Sequence, residues 1–413
     1  MTRISLSYFA AEPDISPEKT IMKYTFLVGS VLLPLLAAVS CEKLDDLPTG
    51  PDEAPADSLL TLEGVAKLLS SLPVEAAQLA EVHDAVTSSG GNGYDEEYTM
   101  RQLFAAPGSG VGAAKGETKG SYARPLRELI REAVFATRAV ETSTVKGDPE
   151  AWLQALSTSD FQIYWPFSER WDGRSRPVIT FDPLDNSARN EGYECLGDGS
   201  FKTLIVDEQM AMERPVWVVN HNSDAGYKTL ELLRREDPSW GESGGDLVVR
   251  TKAAEGDFKT LILRSFQANR NYDSWFTGAS EFFVKCGAVE DFFATTEAEL
   301  QLYSPSITDF LIVVRRSQTG QTIPFNAVLV SEWTGGLQNC ALMLTEDDGG
   351  TRTTWKCSAM VKYNSKSYGF ELEIPLRSRD DIVWRGSLTR NYIERYSGTT
   401  GHFGDVELVL ELI

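Results

Sequence analysis

The sequence predicts an α+β protein: an N-terminal α-helical segment followed by mainly antiparallel β structure, ending in a C-terminal β-sandwich. Three observations carry that expectation. Apolar residues recur at helical spacing up to about Ser157, for example Leu62, Val65, Leu68, Leu69 and Leu72. From Asp160 the period changes to two, in short runs such as Pro215-Val216-Trp217-Val218-Val219. Toward the C-terminus those runs follow one another roughly every ten to fifteen residues across turn-rich loops, the rhythm of a sandwich.

The helical segment reads as residues 58–157. Its first helix stops at Pro73, and a second, through Leu79, Val82 and Val86, stops at Gly90-Gly91. Tyr98 to Phe104 is a shorter candidate, and Gly108 to Gly120 is a flexible loop between helices. Pro125 opens the clearest helix, with Leu126, Leu129, Ile130, Ala133, Thr137 and Val140 on one face. Asp148 as N-cap and Pro149 at the first helical position start another. A β-rich middle region spans 158–245 and the sandwich spans 246–413. In the sandwich, Asp348-Gly349 is a two-residue turn signal. Centring a hairpin there sets Leu342 against Trp355 and Cys340 against Cys357, collecting apolar residues on one face. The two cysteines are then either a disulfide or two buried thiols, since bridges between adjacent strands are geometrically awkward.

Composition narrows the function. Acidic residues outnumber basic ones 60 to 39, for a net charge of −21, which repels nucleic acid and favours solubility. Only three histidines and five cysteines are present, without CxxC spacing, which leaves little for zinc or histidine-based catalysis. Met22 to Asp46 says most about location. Lys23 is followed by the apolar run Tyr24 to Val39, shorter than the roughly 20 residues a bilayer span needs, and Ala38-Val39-Ser40 precedes Cys41. Residues 22–41 therefore read as a signal peptide, and residues 1–21 as an over-called start. Residues 42–57, acidic and rich in proline, read as a flexible tether.

Small residues before Cys41 resemble a bacterial lipobox, and Glu42-Lys43-Leu44-Asp45-Asp46 resembles the export tag of Bacteroidetes surface lipoproteins. The resemblance implies diacylation of Cys41, anchoring in the outer membrane, and an export role for Lys43, Asp45 and Asp46 that turns the chain toward the cell exterior. It supplies no activity and no catalytic residues.

The motifs with chemical content are few. Gly241-Glu242-Ser243-Gly244-Gly245 matches the G-x-S-x-G pattern, but a strand rather than a helix is expected to follow it. Neither His83 nor His221 sits in a motif that would serve Ser243 as base. An envelope hydrolase with Ser243 as nucleophile is therefore the alternative, and a non-catalytic binding or adhesion module for a glycan or protein ligand is the expectation. Asp291, Asp309, Asp347, Asp348, Asp380, Asp381 and Asp405 fall near strand ends, where converging loops could furnish the oxygens calcium requires. Calcium is accordingly the one cofactor to consider. Tyr164, Trp165, Phe167, Trp171 and Trp217 are either a core or an aromatic platform for sugars.

Overall fold

The computed structural model describes residues 60–105, 122–136, 148–197, 199–222, 228–236 and 258–413, all within one compact unit, Pro55–Ile413. The helical spacing of leucines and valines becomes α1 (Leu62–Ser71), capped by the Thr61 hydroxyl, which accepts from Gly64 N at 3.0 Å. Leu72 is extended, as a residue before proline must be. Then come α2 (Ala76–Gly91), β1 (Glu97–Thr99), α3 (Met100–Phe104), α4 (Leu126–Ala136) and α5 (Pro149–Thr158). As expected, Asp148 caps α5, accepting from Ala151 N at 3.1 Å. Tyr98, expected in a helix, lies instead in β1 opposite Ile163, and Thr99 caps the helix that follows. Thr137, Val140 and the Gly108–Gly120 loop lie outside the described residues.

The middle of the chain supplies β2 (Phe161–Tyr164), β3 (Val178–Phe181), β4 (Arg189–Cys195), β5 (Phe201–Asp207), α6 (Glu208–Glu213) and β6 (Val216–His221). With β1 they form a six-stranded sheet in the order β1-β2-β6-β3-β4-β5, antiparallel except where β3 runs parallel to β6. Both faces of this sheet are covered, which explains the unbroken apolar run of β6. Ile163, Trp217 and Val219 face the helices, in one core with Leu68, Ile130 and Trp152. Tyr164, Val216 and Val218 face the other way and meet Trp275 and Phe276 from the C-terminal half. The helical segment and the middle sheet thus share a core.

The rest consists of α7 (Leu230–Glu236), β7 (Lys259–Ala268), β8 (Ser280–Ala288), α8 (Glu297–Leu300), β9 (Ser306–Val314), β10 (Ile323–Trp333), β11 (Asn339–Glu346), β12 (Arg352–Tyr363), β13 (Lys366–Arg377), β14 (Asp381–Thr389), α9 (Arg390–Tyr396), β15 (Thr399–Phe403) and β16 (Val406–Leu412). Two four-stranded sheets, β10-β7-β16-β15 and β14-β11-β8-β9, and the ribbon β12-β13 send their side chains into one core. The protein is therefore α+β, with antiparallel β structure predominating in several sheets.

The expected hairpin about Asp348-Gly349 does not form. β11 lies between β8 and β14, with Leu342 opposite both Cys286 and Gly386, while β12 pairs with β13. Every residue of β11 is buried, so it needs partners on both edges, which the end strand of a hairpin lacks. The tight turn lies instead at Asn364-Ser365, both at positive φ, which suits a two-residue loop. Cys340 and Cys357 accordingly do not face each other: Cys357 is opposite Leu372, and both cysteines are free thiols. The buried Cys286 thiol lies beside Cys340, whose proximity, with burial, pushes it up.

The segment between β7 and β8 holds the two halves together. Trp275 is 4% exposed and donates from Nε1 to Ala188 O at 3.1 Å, while Asn220 Nδ2 donates to Phe276 O at 2.9 Å and Thr277 O at 2.7 Å. Trp275→Ala would empty a ring-sized volume against the sheet and orphan one carbonyl. A loss of about 3–5 kcal/mol is expected in urea unfolding; a loss under about 1 kcal/mol, the size of a surface substitution, would mean the ring is not a structural plug.

Candidate metal centre

The same segment delivers a carboxylate. Ser280 Oγ accepts from Tyr272 N at 2.7 Å and donates to Asn271 Oδ1 at 2.9 Å, curling the chain ahead of β8. Arg316, just past β9, clamps the curl: Nη2 donates to Asp273 O at 2.6 Å and Asn271 Oδ1 at 3.3 Å, and Nη1 to Glu208 at 2.8 Å. Glu281 is the second residue of β8 and Glu346 the last of β11. The backbone bond from Asp347 N to Glu281 O, at 3.0 Å, holds those two strand ends together.

Asp273, Glu281 and Glu346 consequently place one carboxylate oxygen each within 4.8 Å of one another. Glu346 is 0% exposed, and neither its oxygens nor Asp273 Oδ2 meets an N–H or hydroxyl donor; the two acids face each other, in reach of a shared proton. Burial raises all three carboxyls above their ordinary range, and their mutual repulsion raises Glu281 and Glu346 further. A carboxylate removed from water must take up a proton or a cation, or lose its charge some other way.

A second buried acid borders the first. Asp95 accepts from Glu96 N at 2.7 Å and from Ala279 N at 2.9 Å, tying the turn before β1 to the turn before β8. Burial pushes its carboxyl up to about 7 despite those two bonds. Gly278 adopts φ +139°, and a Cβ there would sit 2.7 Å from Asp95 Oδ2, so the close approach requires glycine. Glu96 accepts from Ser168 N at 3.1 Å and Oγ at 2.7 Å, and burial raises it as well.

The structure gathers four of the seven aspartates named from sequence. Asp381 is in register with Glu346. Asp347 accepts from Gly349 N at 3.0 Å and lies 3.4 Å from Arg377 Nη1. Asp380 accepts from Arg377 N at 2.8 Å, and burial together with Asp347 raises it. Asp348 is raised by burial and by Asp381 and Asp347. The other three lie apart from this group: Asp405 pairs with Arg270 at 2.9 Å, Asp309 lies 3.9 Å from Lys285, and Asp291 N donates to Glu332 O at 3.2 Å. Among the described residues, the one set of three donors close enough to share an ion is Asp273, Glu281 and Glu346. Glu281 was legible as an acid inside the apolar run Ser280–Ala288, and Glu346 as one closing Leu342–Thr345; neither signal identifies its partner.

Of the aromatic group, Tyr164, Trp165, Phe167 and Trp217 are buried in the core. Trp171 is half-buried and lines a cleft of ≈ 120 Å³ with Arg170, Asp172, Glu213 and Arg214. His83 packs on Trp171 with ring centroids 4.9 Å apart and donates from Nε2 to Ser168 O at 3.3 Å. His221 pairs with Asp160 at 3.1 Å. Cys41, Lys43, Asp45, Asp46 and Ser243 lie outside the described residues. No protein-family model, curated protein or solved structure matches the chain. Among the described residues no helix is long and apolar enough to cross a membrane.

Asp95 fixes the sign of a pH dependence. Its folded value, about 7, lies above the unfolded 3.8, so the folded chain keeps a proton that the unfolded chain releases. Its stabilising contribution is complete below about pH 4 and is lost as pH rises through about 7, a change on the order of 4 kcal/mol. Urea unfolding in EDTA should therefore show stability falling between about pH 5 and about pH 7.5. Glu96, Asp273, Glu281 and Glu346 are raised too and act in the same direction, so the share of Asp95 is read against Asp95→Asn; an unchanged profile in that variant would mean that Asp95 is ionised at little cost.

Proposed function

We propose that this chain is a lipid-anchored protein of the bacterial cell envelope, facing outward, that binds a glycan or protein ligand without turning it over. The observation that carries the reading is the stretch Met22–Asp46, where a basic residue, a short apolar run and small residues lead to Cys41, and Lys43, Asp45 and Asp46 follow. Acylation of Cys41 ties the chain to the outer membrane, and the acidic, proline-containing tether spaces the folded part from it. On this reading the two four-stranded sheets are the layers of a sandwich, whose loops and flanking cleft meet the ligand.

The cleft beside Trp171 supports a binding role. A half-buried indole gives an apolar face to a sugar ring or an aromatic side chain, and Arg170, Asp172, Glu213 and Arg214 supply polar groups around it. Trp171 Nε1 donates to Ser175 O at 3.0 Å, which fixes the indole in place before any ligand arrives. The surplus of negative charge favours neutral or basic ligands over nucleic acid.

Fatty-acid labelling of the producing cells, followed by protease treatment of intact cells, tests the reading. Label is expected on the wild-type chain and absent from Cys41→Ser, and the wild-type folded part should be digested from outside. Label persisting in Cys41→Ser, or protection while an outer-membrane control is cleaved, would contradict it.

A further inference from the structure

We propose that Asp273, Glu281 and Glu346 form a binding site for a hard divalent cation, calcium before magnesium, between the ends of β8 and β11 and the segment that precedes β8. The donors are all carboxylate oxygens, the ligand class of calcium and magnesium rather than of zinc or copper. Calcium accepts irregular shells of six to eight oxygens, whereas magnesium demands a near-ideal octahedron and keeps most of its water. Three carboxylates from a loop and two strands, with one oxygen each within 4.8 Å of the others, suit the ion with the less demanding shell.

A separate observation points to a ligand here. Glu346 is wholly buried, and no N–H or hydroxyl reaches its oxygens or Asp273 Oδ2; these oxygens have only one another to turn to. The nearby guanidinium does not meet that need: the described bonds of Arg316 go to Glu208, to Asn271 and to the backbone oxygen of Asp273. Asp273 keeps partial exposure, which gives an ion a route in and room for water to complete its shell. Two positive charges against three carboxylates leave a remainder that a buried site tolerates far better than the bare cluster. The bound ion would tie the Trp275–Phe276 segment to β8 and β11, and so hold the C-terminal sheets against the six-stranded one. Two carboxyls sharing a proton are the competing arrangement, and the test separates the two.

The full chain, stripped with EDTA and returned to chelator-free buffer at physiological salt, is titrated with calcium by calorimetry in the presence of magnesium. One calcium per chain is expected, with a rise in melting temperature. Glu346→Gln and Asp273→Asn should each weaken uptake by at least roughly tenfold, while Asp405→Asn leaves it unchanged. Near-ultraviolet circular dichroism reports whether each variant is folded; should Glu346→Gln not fold, the more exposed Asp273→Asn decides. Absence of stoichiometric uptake by the folded wild-type chain would overturn the proposal in favour of a shared proton. Uptake that survives both substitutions would overturn it in favour of the Asp347–Asp380 group or diffuse surface binding.

Discussion

Three carboxylates brought within 4.8 Å at a buried junction set the problem that the surrounding structure must solve. Neither desolvation nor mutual repulsion favours that arrangement, yet the backbone imposes it. The bond from Asp347 N to Glu281 O fixes two strand ends, and Arg316 fixes the loop that brings Asp273. The fold thus holds acids together that would otherwise separate, which is how cation sites are prepared in advance.

The loop has a second task a few residues on, where Trp275 and Phe276 fill the open face of the six-stranded sheet. Without them, Tyr164, Val178, Val216 and Val218 would lose their cover, a cost set by apolar area returned to water. Asp95 crosses the same junction in the opposite direction, reaching from the turn before β1 to Ala279 N. Apolar filling and polar bracing thus meet within one short segment, and each constrains the geometry of the other. The approach of Asp95 to Gly278 leaves no space for a side chain there.

Local signals in the sequence translated well. Pro125 before α4, and Asp148 with Pro149 at α5, mark helix starts through backbone chemistry that does not depend on tertiary context. Most strand positions in the C-terminal half followed from short apolar or alternating runs between turns, although β15 (Thr399–Phe403) did not. Pairing did not, because it depends on which strands compete for the centre of a sheet. Asp348-Gly349 is a genuine turn signal, yet β11 is buried on every residue and takes β8 and β14 as neighbours. The site was only half legible for a related reason. Asp347-Asp348 and Asp380-Asp381 were legible as acidic pairs at strand ends, but the two pairs meet only because β11 lies beside β14. Asp273, Glu281 and Glu346 come from a loop and two strands, and only the sheet order unites them.

The most direct test of this account is anomalous diffraction from crystals of the full chain grown with calcium. A single strong anomalous peak is expected between Asp273, Glu281 and Glu346, with water completing the shell. A map empty at that position, with Asp273 and Glu346 oxygens drawn to a short hydrogen-bond distance of about 2.5–2.7 Å, would contradict it and assign the junction to a shared proton.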